Sequence, residues 1–66
     1  MDVKKIGEKL IALRGNKTRL EVAKDLNVSE SAIGMYEQGN RIPRDEIKIK
    51  IAEYYGCSVQ EIFFDS

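Results

Sequence analysis

The chain contains no histidine and no tryptophan, and it has a single cysteine and a single proline. Without histidine the commonest general base is missing, and with it every Ser–His or Cys–His nucleophile pair, so an enzyme is not expected. Cys57 cannot form an internal disulfide, and one thiol without imidazoles does not make a zinc site; neither metal nor cofactor is expected. No apolar run is long enough for a membrane span or a signal peptide, and the expectation is a soluble, cytoplasmic protein with no membrane partner. At 66 residues a single domain, with no second one, is expected. That length also argues against a small-molecule site, because a pocket of roughly 300–1,000 Å³ would consume the core of so small a chain. An inducer-binding domain has no room, so control through concentration, promoter overlap or a partner protein is expected.

The composition is 42% hydrophobic and 33% charged, that of a globular chain rather than a disordered one. Eleven basic and eleven acidic residues cancel, which lends no support to nucleic-acid binding by net charge alone. Their distribution is uneven. Residues 1–19 hold six basic against two acidic side chains, a net +4, whereas residues 20–44 come to −1 and residues 45–66 to −3.

Five helical segments and no strand are predicted. Ile6, Leu10 and Leu13 place one apolar stripe on a helix of about Val3–Arg14, ended by Gly15-Asn16. Thr18-Arg19-Leu20-Glu21 is a capping box opening a second helix, with Val22, Ala23 and Leu26 on its inner face. Asn27 tolerates the left-handed conformation and ends it. Ser29 caps a third helix, about Glu30–Gln38, which stops at Gly39-Asn40. Extended Arg41-Ile42-Pro43 leads to a fourth, about Asp45–Tyr55, whose buried stripe is expected from Ile47, Ile51 and Tyr54 or Tyr55, with Gly56 as terminator. Ser58-Val59-Gln60-Glu61 is a second capping box before a short last helix bearing Ile62, Phe63 and Phe64.

Segments two and three are only a few residues apart, as two helices crossing over a tight turn require. Ala23 is the small residue at the crossing, Asn27 takes the turn, and Val28, Ile33 and Tyr36 supply the inner apolar side. The stretch T-R-L-E-V-A-K-D-L-N-V-S-E-S-A-I-G-M-Y-E-Q-G-N-R-I-P resembles the helix-turn-helix unit, residues 19–38 here, of the phage repressor and Cro-type regulator family. I-A-E-Y-Y-G-C-S-V-Q-E-I-F-F is similar to that family's closing helices. The resemblance implies an all-α, compact five-helix, lambda-repressor-like domain that binds double-stranded operator DNA and regulates transcription, as a repressor. Three departures stand out: Asn27 replaces a turn glycine, R-G-N-K-T is a short first connection in which Leu20 is expected to replace a missing apolar contact, and Glu30 lies where polar or basic residues are more usual.

With Ile33 turned inward, Ser31, Met35 and Gln38 face outward on the third helix and Glu30, Ala32 and Gly34 flank them. The expected base contacts are Ser31, Met35 against a thymine methyl, Glu30 accepting from cytosine N4, and Gly34 by close approach. Expected phosphate contacts are Lys17, Thr18 and Arg19 at the second helix N-terminus. The resemblance adds Gln38, Asn40, Arg41 and Arg44 on the other side, and neither arginine has an obvious acidic partner within the loop.

Other residues have plainer readings. The resemblance makes Glu37 a brace with Arg14 rather than a catalytic acid, Tyr36 is a core-edge residue, and Cys57 is a small apolar filler with redox sensing as its alternative. One of Phe63 and Phe64 packs inside, and the other, with Ile62, is expected at a homodimer contact on a palindromic site. Two competing functions stay open: a protein-interaction module of the same fold, antitoxin-like or adaptor, which the neutral charge balance favours, and an enzyme using a carboxylate pair.

Overall fold

The computed structural model describes residues 2–64, which form four α-helices and a short fifth helix, with no strand among them. They are α1 (Val3–Arg14), α2 (Arg19–Leu26), α3 (Glu30–Gln38) and α4 (Asp45–Tyr55), followed by a π-helical turn, Gln60–Phe64. Each boundary has a local cause. Asp2 accepts from the Lys4 and Lys5 amides, Thr18 and Glu21 close the predicted capping box, and the Ser29 hydroxyl accepts from Ala32. Asn27 sits at φ 58° and ψ 44°, the left-handed conformation expected of it, and its neighbour Val28 donates to the Ala23 carbonyl at 2.9 Å. The last capping box also forms, with Ser58 and Glu61 exchanging bonds of 2.9 and 3.0 Å. It opens a π turn of five residues rather than an α-helix.

α3 packs most extensively on α1 and α2, while α4 leans on α2 and the π turn on α1. The core comprises Ile6, Leu10, Val22, Ala23, Leu26, Ile33, Tyr36, Ile51, Ala52, Ile62 and Phe63, with Ala32 at its edge. α1 meets α3 so closely that a Cβ on Gly7 would stand 2.3 Å from the Glu37 carbonyl oxygen. Glycine is the only residue that permits this crossing. At the far end of α3, Gly39 takes φ 76° beside the Val3 carbonyl.

Several expectations about packing are overturned. The buried face of α4 is Lys48, Ile51 and Ala52, with Ile47, Tyr54 and Tyr55 only half-buried. Lys48 is accommodated because its stem lies on the core while its ammonium rests over the Phe63 and Phe64 rings, 5.8 and 5.2 Å from their centroids, and 3.5 Å from Asp45. Leu20 is 47% exposed and is not among the residues packed against the core, so it replaces no lost contact there. Ile62 is 2% exposed, so it belongs to the core with Phe63, and Phe64 alone turns outward, at 51%.

Candidate nucleic-acid interface

The interface is built on the exposed side of α3. Ile33 and Tyr36 anchor the helix in the core, which turns Ser31, Met35 and Gln38 outward as the helical wheel predicts. Ala32 and Gly34, expected at the flanks, are buried. Ala32 meets the core, and Gly34 lies beneath the Arg19 guanidinium, whose Nη1 comes within 3.4 Å of the place a Cβ would occupy. Arg19, Glu30, Ser31, Gly34, Met35 and Gln38 together line one open concavity of about 380 Å³. The four residues expected at bases thus share one surface with two of those expected at phosphates.

A buried brace underlies that surface. Arg14 donates to both Glu37 carboxylate oxygens, Nε at 2.6 Å and Nη2 at 3.1 Å, and also to the Lys17 carbonyl at 2.8 Å. Glu37 is 5% exposed, and the hydrogen bond from Arg14 holds the guanidinium pKa above its ordinary value. A second arginine completes the brace: Arg19 Nε donates to Glu37 Oε1 at 3.0 Å. No sequence signal announces this pair, because Arg19 and Glu37 meet only when α2 packs on α3.

The remaining positively charged candidates are spread around the surface. Lys17 donates to the Tyr54 hydroxyl at 2.9 Å, and Tyr54 in turn donates to Asp25 at 2.6 Å. The bond to Tyr54 raises the Lys17 pKa. The Thr18 side chain and backbone amide are both occupied by the capping box, which leaves fewer free donors at this helix end than the sequence suggests. Beyond α3, Asn40 donates to Gln38 at 3.2 Å and its amide bonds the Met35 carbonyl, closing the loop onto the helix. Arg41 is exposed, without an ion pair among the described residues. Arg44 has no acidic partner within the loop and lies 3.8 Å from Glu46 in the first turn of α4; both are well exposed, so the pair is screened and worth little. Among the described residues no group of His, Cys, Asp or Glu could hold a metal ion, and no helix is long and apolar enough to cross a membrane.

Two helices joined by Asn27–Ser29, the second anchored by its inner face and presenting its outer face to solvent, define a helix-turn-helix domain. The chain matches the helix-turn-helix family model of Cro/C1 type over residues 9–62, and it belongs to that family. It is accordingly a DNA-binding helix-turn-helix regulator. No match was found among curated proteins or among solved structures.

Proposed function

We propose that the protein is a sequence-specific repressor that inserts α3 into the major groove of duplex DNA. One observation carries this reading: Glu30, Ser31, Met35 and Gln38 are exposed together along one face of a helix whose opposite face is locked in the core. At 9 residues and about 1.5 Å per residue, α3 is about 13 Å long, comparable with a major groove about 12 Å wide. Ser31, Met35 and Glu30 address base edges, whereas Gly34, buried beneath the Arg19 guanidinium, does not reach them. Lys17 and Thr18 on one side, and Gln38, Asn40, Arg41 and Arg44 on the other, address phosphates.

The repressor acts as a homodimer on a palindromic site in the cytoplasm. Phe64 and Ile49, both about half exposed, line a concavity with Asp45, Lys48 and Val59, and a second copy is the proposed occupant.

Titration of random duplex DNA against salt tests the function. A log K that falls with log salt at a slope of roughly −5 to −7 is expected from six to eight phosphate contacts in a dimer. Arg41→Ala should weaken all sequences alike and flatten that slope by about one, whereas Ser31→Ala or Met35→Ala should change the preference between sequences. Absence of any salt-sensitive affinity at low ionic strength would leave the protein-interaction reading of the fold.

A further inference from the structure

We infer that Arg19 reads a guanine base rather than a phosphate, and that its pairing with Glu37 sets the plane in which it does so. The inference rests on the proposed entry of α3 into the major groove.

Arg19 is the first residue of α2, yet its side chain leaves that helix and lies across Gly34 of α3. Its Nε is committed to Glu37 at 3.0 Å, on the protein side. Neither terminal nitrogen donates to any described residue, and the side chain, 38% exposed, borders the concavity shared with Glu30, Ser31, Met35 and Gln38. The guanidinium is therefore held with its end-on donor pair unspent. Glu37 does not need Arg19 for its own satisfaction, because Arg14 already engages both carboxylate oxygens. What the second bond adds is orientation of a planar fork.

Orientation matters for one kind of target and hardly at all for the other. A phosphate is approached from many directions, and a mobile cation on a long stem serves it well. The guanine edge presents O6 and N7 side by side, and it rewards two coplanar N–H donors whose rotamer entropy is already lost. The neighbour Glu30 has acceptors only and, among the described residues, no ion pair. A donor fork beside an acceptor matches the major-groove edge of G·C pairs, where guanine accepts and cytosine N4 donates. The same Arg19–Glu30 combination lowers the attraction for generic phosphate, which again favours discrimination over bulk affinity.

Selection of sites from a random duplex pool, run with the full chain and with Arg19→Lys and Arg19→Gln, tests the assignment. The wild type should enrich a G·C pair at one position of each half-site. Both variants should lose roughly 5- to 150-fold of discrimination at that position and leave the others intact, the range expected for one bidentate base contact. Arg19→Lys should do so while keeping the wild-type salt slope, since its charge is retained. Both variants keep the Arg14–Glu37 pair, and thermal melts verify that they fold. Unaltered base preference in both, with a uniform loss for Arg19→Gln and a slope flatter by about one, makes Arg19 a phosphate contact and overturns the inference alone. A wild type that binds no duplex overturns it together with the reading on which it rests.

Discussion

Glu37 is a charge almost fully withdrawn from water, and it is tolerated because Arg14 engages both carboxylate oxygens, with Arg19 adding a further bond. Removing one member of a buried ion pair typically costs roughly 3–5 kcal/mol, since the partner is left uncompensated. Here both arginines reach solvent, so Glu37→Gln should cost about 2 kcal/mol, read as a lower urea midpoint at unchanged m. Tyr55 gives a second prediction. Burial, followed by the nearby Glu37 carboxylate and Tyr54, pushes its phenol up to about 12. The folded chain then keeps a proton that the unfolded chain releases near pH 10, so stability is complete below pH 10 and declines as pH rises towards 12. Lys17, whose folded pKa is also raised, contributes with the same sign. Thermal melts from pH 8 to pH 12 should show this decline, and Tyr55→Phe should flatten it without abolishing it.

The two glycines within helices make opposite demands. On α1, Gly7 has no space for a methyl group, because backbone of α3 occupies it. Gly7→Ala must separate the two helices and should cost at least about 2 kcal/mol, the range of an overpacked core. On α3, the nearest atom to a Cβ at Gly34 is the end of the flexible Arg19 side chain, at ordinary contact distance. Gly34→Ala should therefore gain about 0.8–1 kcal/mol of helix propensity, a rise of roughly 4–8 °C in Tm. Opposite signs in paired thermal melts are the expected result; equal losses would mean that Arg19 cannot yield. Both residues look alike in the sequence, as glycines inside helical patterns. Only the neighbouring helix distinguishes an obligatory glycine from an optional one.

A body of 27 × 22 × 21 Å is smaller than the roughly 34–36 Å that separates successive major-groove half-sites on one face of the duplex. One copy can cover one half-site, and two are needed for a palindrome. Phe64 and Ile49 are the apolar residues that the proposed dimer would bury. Phe64→Ser should leave the monomer folded, because the ring is outside the core, and should weaken self-association about tenfold or more, followed by sedimentation equilibrium. A wild type that stays monomeric both alone and on its selected site would end the dimer proposal.

Helix boundaries were legible without coordinates because caps and terminators act over three or four residues: the Thr18 and Ser58 boxes, Ser29, Asn27 and the glycines after α1, α3 and α4 all work through bonds to their immediate neighbours. The outward set Ser31, Met35 and Gln38 was legible for the same reason, since helical geometry alone places it once Ile33 is inside. Partners far apart along the chain were another matter. That Arg19 turns to Glu37, that Lys48 is buried with its ammonium over two aromatic rings, that Ile62 points inward and Phe64 outward, and that Gly7 is indispensable all depend on how the helices and the π turn pack on one another. Those contacts come from close packing of surfaces, which no periodicity within one helix encodes.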